Sequence, residues 1–426
     1  MTLFEELSWR GYVTQITDNE LPSLLEKERF TLYSGFDPTA DSFHIGSLLP
    51  IMGLMRFQRA GHKPIALLGG ATGLIGDPSF KAAERPLLTK DRAQANVAGQ
   101  RKQLERFIDF TGPNAAALVN NADWLCSLTL VDFLRDIGKH FSVNVMLAKD
   151  SVKVRLNDRD HGISFTEFTY SLLQAYDFLH LYDTHGCRLQ IGGSDQWGNI
   201  VAGMDLTRRL RDGASTFGLT MPLITKADGS KFGKSETGNV WLSAEYTSPY
   251  KFYQFWINQA DAETPRFLKL FTFLGQEEIG ALECEVTERP EKRSAQRRLA
   301  EEVTRMVHGE DALRNAIRAS QALFGGELAG LDDATLEDVF SEAPSSELPR
   351  ATLGAGRSLA EVLVECGVFA SKGEVKRLVQ SGGLYINNER VESDAAPLTE
   401  KALTTERIAV VRKGKKSYHV LKFVTS

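Results

Sequence analysis

The chain has 426 residues, more than one compact core accommodates and suited to two or three domains. Its 42% hydrophobic and 25% charged residues are those of an ordinary soluble globular protein, and no run of 18 or more apolar residues offers a membrane span. The net charge of −5 argues against a nonspecific nucleic-acid coat, but it is unevenly spread: residues 350–426 hold 13 Lys+Arg against 8 Asp+Glu, a net of +5 that leaves −10 on the rest. A basic tail on an acidic body suggests one module that faces nucleic acid.

The first residues, Met1-Thr2-Leu3-Phe4-Glu5-Glu6-Leu7, carry acid where a secretory signal carries base, so a cytoplasmic protein is expected. Strand-like and helix-like stretches then alternate, the pattern of a parallel α/β sheet. Residues 29–34 read as a strand, leading through Gly35-Phe36-Asp37-Pro38 into a helix that opens near His44. Residues 63–68 form a second strand, running into a glycine-rich turn from Gly69 to Gly76, and residues 187–191 a third, followed by Gly192-Gly193-Ser194-Asp195 and a new helix. Ligands of open α/β sheets bind at such carboxyl ends. None of these turns has the GxGxxG spacing, which disfavours a nicotinamide enzyme.

From about residue 248 to 324 the pattern turns helical, and Tyr250, Phe252, Tyr253, Phe255 and Trp256 read as core. Residues 327–347 hold seven acids and no base, with Pro344 and Pro349 nearby, and are expected to be a linker or a loosely packed segment. A small basic domain follows. The four cysteines, Cys126, Cys187, Cys284 and Cys366, lie far apart with no CxxC pair, so buried thiols are expected rather than a disulfide framework or a zinc site.

Two short motifs carry the chemistry. His44-Ile45-Gly46-Ser47 stands where a turn gives way to a helix. Backbone N–H groups and the helix dipole favour a polyphosphate there, a histidine donates to phosphate oxygens, and Gly46 permits close approach. Far downstream, Lys231-Phe232-Gly233-Lys234-Ser235 places two lysines three apart in a glycine-rich loop, which suits transient neutralisation of leaving pyrophosphate. Either motif alone is an ordinary surface feature. In this order, on a Rossmann-like half, they are far more specific.

With these motifs the chain resembles the class I aminoacyl-tRNA synthetases, and among them the bacterial tyrosyl-tRNA synthetases, over essentially its whole length. The resemblance rests on Tyr33-Ser34-Gly35-Phe36-Asp37-Pro38-Thr39-Ala40-Asp41-Ser42, Gly69-Gly70-Ala71-Thr72-Gly73-Leu74-Ile75-Gly76-Asp77-Pro78, Ile163-Ser164-Phe165-Thr166-Glu167-Phe168 and Gln190-Ile191-Gly192-Gly193-Ser194-Asp195-Gln196-Trp197-Gly198-Asn199. It implies an α/β fold: a Rossmann-like parallel-sheet catalytic domain over 1–225, a mobile loop region over 226–247, and a helical domain over 248–324. An acidic linker over 325–353 and a small α+β S4-like RNA-binding domain over 354–426 complete it.

The resemblance also implies roles. Asp77, Tyr170 and Gln174 match the positions around a tyrosine ammonium, Tyr33 and Asp177 the pair that meets the phenol, and Gln196 a group near the carboxylate. Gly193 and Asp195 match the ribose site, within an ATP pocket that also takes in Gly35, Asp37, Gly46, Ser47, Lys231, Phe232, Gly233, Lys234 and Ser235. Thr39, His44, Lys81, Arg85, Lys231 and Lys234 match the positions that stabilise phosphate charge during transfer. ATP is then a substrate, with Mg²⁺ held by its phosphates and water and no metal held by the protein. Two departures stand out: the first motif ends in Ser47 where a second histidine or an asparagine is usual, and Ser34 occupies a variable position near the ribose.

Residues 358–391 are similar to the small RNA-binding fold shared with ribosomal protein S4. Lys372, Lys376 and Arg377 lie at helical spacing, Gly382-Gly383-Leu384-Tyr385-Ile386-Asn387 turns into a strand, and Arg412, Lys413, Lys415 and Lys416 cluster near the end. These seven basic residues are the expected contacts to tRNA phosphates. The family is dimeric, and Phe165 and residues 130–134 match the region of its interface, although these apolar residues could equally be intramolecular core. The expected partners are thus tRNA(Tyr), L-tyrosine, ATP and a second copy, with no membrane. Three rivals stand beside this reading: a tryptophanyl enzyme, against which Tyr33 and Asp177 speak; a small-molecule nucleotidyltransferase, which leaves the tail unexplained; and a noncatalytic RNA-binding paralogue.

Overall fold

The computed structural model describes residues 1–79, 87–156, 162–225, 232–235, 238–414 and 417–424. The chain divides into two compact units, 1–243 with 260–295, and 244–259 with 296–426.

In the first unit β1 (Gln15–Ile16), β2 (Thr31–Phe36), β3 (Lys63–Leu68), β4 (Ala117–Asn120), β5 (Cys187–Gly193) and β6 (Phe217–Met221) form one sheet in the order β1-β6-β5-β2-β3-β4. β2 to β6 are parallel, and β1 pairs antiparallel with β6 at the edge. β3 is buried from Pro64 to Leu68 and β6 throughout, as continuous apolar strands of a parallel sheet are. From β2 the chain winds one way through β3 and β4, then the other way through β5 and β6. The reversal leaves a crevice at the carboxyl ends of β2 and β5, the place where such sheets bind ligands.

Two helices deliver side chains to that crevice. Ile45–Arg59 starts at His44, whose Nδ1 caps it by accepting from the Gly46 N–H at 3.0 Å. Phe165–His185 is capped by Ser164, which accepts from the Glu167 N–H, and ends at Gly186 with φ 61. Its inner face packs Phe178 and Leu181 with Tyr33, Ile65, Leu67, Ile200 and Met204. Tyr170, Gln174 and Asp177 follow at spacings of four and three, which brings all three to one face.

The helical stretch expected over 248–324 is divided. Helices Thr264–Phe271 and Gln276–Glu288 fall in the first unit. Long-range polar contacts explain this: Arg10 donates to the carbonyls of Lys269, Thr272 and Leu274, Arg56 to that of Thr272, and Tyr12 to that of Leu270. Local helical periodicity carries no trace of such partners.

Also in the first unit, β7 (Lys234–Ser235) and β8 (Gly238–Asn239) form an antiparallel pair. In the second unit β9 (Ser345–Pro349), β10 (Leu384–Ile386), β11 (Glu389–Arg390), β12 (Ile408–Lys413) and β13 (Ser417–Val424) form a sheet in the order β11-β10-β12-β13-β9, antiparallel except for the β13–β9 pair. Asn387 and Asn388, both at positive φ, make the tight turn between β10 and β11. Helices Leu359–Glu365 and Lys372–Gln380 pack Val362, Leu363, Val375 and Val379 on Leu384, Val411 and Leu421.

The stretch 325–353, expected to be an acidic linker, is instead part of this unit. It holds helix Asp333–Val339 and strand β9, and it buries Leu328, Leu331, Leu336, Val339 and Phe340 with Tyr418 and Val420. Glu327, Asp332, Glu342 and Glu347 are exposed and Asp333, Glu337 and Asp338 are half-buried in ion pairs, while the apolar residues between them form core, so charge counting mistook an amphipathic segment for an unpacked one.

Candidate active site

Tyr33 stands on β2 with none of its surface exposed, packed edge-on to Phe178 with 5.4 Å between ring centroids. Its hydroxyl has no hydrogen-bond partner. Burial raises its pKa well above the usual phenol value, and the charge of Asp177 adds to the rise. Asp177 is buried as well; its Oδ1 accepts from Trp124 Nε1 at 2.8 Å and its Oδ2 from Asn121 Nδ2 at 3.0 Å. Burial pushes its carboxyl up to about 7, against the pull of these two donors.

A second polar group lies about Asp77. Asp77 Oδ2 accepts from Gln196 Nε2 at 2.7 Å, and Oδ1 from the Ser79 N–H at 2.9 Å. Gln196 also reaches Asp195 Oδ2 at 3.2 Å and accepts from Gln174 Nε2 at 3.2 Å. Asn199 donates to both Gln174 and Gln196 and so fixes the orientation of both amides. Tyr170 donates to Asp37 Oδ2 at 2.9 Å, which leaves the Tyr170 oxygen as an acceptor; burial and the charge of Asp37 raise its pKa. The β5 strand ends at Gly193, and Ser194 alone separates it from Asp195 and Gln196.

The first motif is built around its own cap. Because Nδ1 of His44 accepts from the Gly46 N–H, the proton of a neutral ring belongs on Nε2, a donor suited to a phosphate oxygen. A Cβ at Gly46 would come 2.7 Å from the His44 ring, so only glycine admits this arrangement. Ser47 donates its N–H to the His44 carbonyl and is half-buried, while Thr39 is exposed next to Asp37, whose carbonyl accepts the Thr39 N–H. Gly35 lies in β2, and a Cβ there would make only ordinary contact with Leu67.

The second motif lies against the first. The Ile45 N–H donates to the Val240 carbonyl, the Leu242 N–H to Phe43, and the Val240 N–H to Gly233. Phe232 is buried against Phe267 and Phe271, with centroids 4.8 and 5.7 Å away. Backbone pairing thus joins segments some two hundred residues apart, with Gly233 close to Ile45 and Gly46. Lys81, Arg85 and Lys231 lie outside the described residues, as do the side chains of Lys234 and Ser235.

In the second unit Lys376 and Arg377 are exposed on helix Lys372–Gln380. Lys372 instead pairs with Glu361 at 2.8 Å, Lys413 donates to the Val368 carbonyl, and Arg412 stacks over Tyr385 at 3.8 Å. Lys415 and Lys416 lie outside the described residues.

The residues named from the sequence for tyrosine therefore gather in two polar groups, Tyr33 with Asp177 and Asp77 with Gln174 and Gln196. Asn121, Trp124, Asn199 and Thr72 were missed: each acts only by bonding a named residue, and a lone asparagine or threonine has no signature in a single sequence. Lys149 was missed too; its buried ammonium has no hydrogen-bond partner, and burial lowers it to about 8 against the charge of Asp77.

Comparison with known proteins gives the family of the chain. Residues 25–325 match the family of class I tRNA synthetases (W and Y), and residues 335–421 match a tyrosine–tRNA ligase SYY-like C-terminal domain. The tyrosine–tRNA ligase of Geobacillus kaustophilus is 55% identical over 425 residues, 99% of this chain and all of that protein. The C-terminally truncated mitochondrial tyrosyl-tRNA synthetase of Aspergillus nidulans matches with TM-score 0.68 and 31% identity, covering 76% of this chain and 94% of its own. That of Coccidioides posadasii matches with TM-score 0.65 and 32% identity, over 74% and 91%. Nothing among them favours a noncatalytic paralogue. With its full length matched by tyrosine–tRNA ligases, the chain belongs to the class I tRNA synthetase family of the tryptophan and tyrosine enzymes.

Proposed function

We propose that this chain is a tyrosine–tRNA ligase that works without a covalent enzyme intermediate. A tyrosine carboxylate oxygen attacks the α-phosphorus of ATP, the bond to pyrophosphate breaks, and tyrosyl-adenylate stays bound. A hydroxyl of the 3′-terminal adenosine of tRNA(Tyr) then takes the tyrosyl group and AMP leaves. The single observation that carries the tyrosine assignment is the wholly buried Tyr33 hydroxyl, without a partner beside the Asp177 carboxylate. A buried polar group left unbonded costs free energy. A phenol bonds both groups, whereas phenylalanine leaves the Tyr33 hydroxyl unpaired and the Asp177 carboxylate with only Asn121 and Trp124.

In this reading the substrate ammonium displaces Gln196 from Asp77 and is held by Asp77, the Tyr170 oxygen and Gln174. Gln196 turns to the carboxylate, and Gly193 and Asp195 meet the ribose. Gly35, Asp37, Gly46, Ser47, Phe232, Gly233 and Ser235 line the nucleotide, while Thr39, His44, Lys81, Arg85, Lys231 and Lys234 stabilise phosphate charge. Such catalysis is positioning plus electrostatics. Mg²⁺ enters with ATP through its phosphates; among the described residues no three His, Cys, Asp or Glu side chains gather as ligands. Lys372, Lys376, Arg377, Arg412, Lys413, Lys415 and Lys416 contact tRNA phosphates, with Lys376 and Arg377 the best presented. The four cysteines are free thiols, as a reducing cytoplasm leaves them.

The enzyme is a homodimer. Phe165 is 76% exposed, and Leu130 and Val131 are each 71% exposed, an apolar surface that a second copy would cover. Sedimentation should give a dimer that Val131→Glu converts to monomer; a wild-type monomer at micromolar concentration refutes this part. The function itself is tested by ATP–pyrophosphate exchange with tyrosine, tryptophan or no amino acid, followed by charging of tRNA. Tyrosine alone should support exchange; exchange driven by tryptophan would sink the assignment.

A further inference from the structure

The two ends of the tyrosine pocket are joined by an unbroken chain of hydrogen bonds, buried from Asp177 to Thr72 and part-buried at Asp37. Asn121 donates one Nδ2 hydrogen to Asp177 Oδ2 at 3.0 Å and the other to Thr72 Oγ1 at 2.9 Å, while its Oδ1 accepts from the Ala71 N–H at 2.8 Å. With every hydrogen-bonding group of its amide engaged, Asn121 cannot flip. Thr72 Oγ1, already an acceptor from Asn121, directs its only hydrogen to Asp37 Oδ1 at 2.8 Å. Asp37 then uses Oδ2 to accept from Tyr170 at 2.9 Å. Each link has one polarity.

The surroundings are shaped for the middle of this chain. A Cβ at Gly69 would fall 2.2 Å from Asp37 Oδ1 and 2.5 Å from Thr72 Oγ1. Only glycine at 69 leaves room for the Thr72–Asp37 bond, and Thr72 and Asn121 are themselves almost fully buried.

We propose that Thr72 is a positioning residue that couples recognition of the phenol at Asp177 to the Asp37–Tyr170 end of the pocket, where the ammonium and nucleotide are held. This rests on the tyrosine reading above. A phenol donating to Asp177 holds that carboxylate ionised and oriented, and so holds Asn121 and Thr72. The Thr72 hydroxyl keeps Asp37 turned so that it takes the Tyr170 proton, and the Tyr170 oxygen stays free to accept from the ammonium. A substrate without a phenol leaves Asp177 held by Trp124 and Asn121 alone, with one donor fewer, so the hydroxyl of Thr72 matters less to it.

The test uses the full chain with Thr72→Val, which removes the hydroxyl at constant shape, and Thr72→Ser, which keeps it. Single-turnover adenylate formation and equilibrium binding are measured with tyrosine and with phenylalanine at high concentration. Thr72→Val should slow tyrosyl-adenylate formation at least about tenfold while weakening tyrosine binding less than about threefold. Its effect with phenylalanine should stay below about threefold, and Thr72→Ser should restore the wild-type rate. In an Asp177→Asn background the Thr72→Val effect should shrink, since residues linked in one network are not additive. Equal loss with both amino acids, full additivity with Asp177→Asn, or no rescue by serine would each overturn the coupling. A wild-type enzyme without tyrosine-dependent exchange would instead overturn the tyrosine reading itself.

Discussion

At the scale of single residues, environment rather than identity sets what the site does. Asp177 is one aspartate among many in the sequence, but burial takes its carboxyl to about 7 while Asn121 and Trp124 hold it down. A phenol hydroxyl donates to the ionised form, so kcat/KM for tyrosine should fall as pH drops below about 7. Trp124→Phe removes one donor and should move that midpoint upward, read from a pH profile of the exchange reaction. Stability runs the other way. The folded value lies above the ordinary aspartate value, so between about pH 4 and 7 the native state holds a proton that the unfolded chain has released, and stability from this group falls as pH rises. Asp177→Asn should therefore slow tyrosine activation severely, to a rate that single-turnover kinetics still measures, yet stabilise the fold on the order of 2 kcal/mol at pH 8, with the gain vanishing near pH 4. Calorimetry at both pH values decides it. His44 is tested through its neighbour: Gly46→Ala places a methyl group against the His44 ring and should slow adenylate formation about tenfold with tyrosine affinity unchanged. His44→Ala should slow it about a hundredfold. Equal loss of binding and rate, in single-turnover kinetics, would remove His44 from phosphate handling.

At the scale of elements, most of what positions the site was legible. A strand ending in Gly-Phe-Asp-Pro before a capped helix gave β2 and helix Ile45–Arg59, because turn and cap residues act locally. The same held for β3 and β5, whose apolar runs are long enough to stand out. What local signals missed was the pairing of the second motif with the first. Phe232 reads in the sequence as a motif letter, yet its buried ring packs on Phe267 and Phe271. Phe232→Ala should cost about 3 kcal/mol of stability, as core phenylalanine truncations do. It should also raise KM for ATP while leaving tyrosine binding as it is; unchanged kinetics with ATP would mean that this packing serves stability alone.

At the scale of the whole molecule, the division of labour follows from the two units. The polar groups around Tyr33 and Asp77 lie entirely within the first unit, and the expected tRNA-facing bases within the second. The sequence places a cut near Leu353, but β9 pairs with β13, and Ile408, Val410, Tyr418 and Val420 cover Leu328, Leu331 and Leu336. A chain ending there would expose that core and aggregate. Ending the chain at Phe324 removes all of that core except Tyr250, Ala319 and Ala322, and should abolish charging of tRNA while sparing tyrosine-dependent pyrophosphate exchange. Charging by the shortened chain would remove the C-terminal unit from tRNA binding.

The sequence by itself determined the parallel α/β start, the two short motifs and the basic tail. Each rests on local physics or on motifs whose letters are the chemistry: a cap, a glycine turn, an apolar run, a lysine pair. Only the tertiary structure decided that the acidic stretch is core, that helices Thr264–Phe271 and Gln276–Glu288 join the first unit, and that Asn121, Thr72, Trp124 and Asn199 serve the site. These depend on partners tens to hundreds of residues away, and a hydrogen bond between distant side chains leaves no periodicity in the chain that makes it.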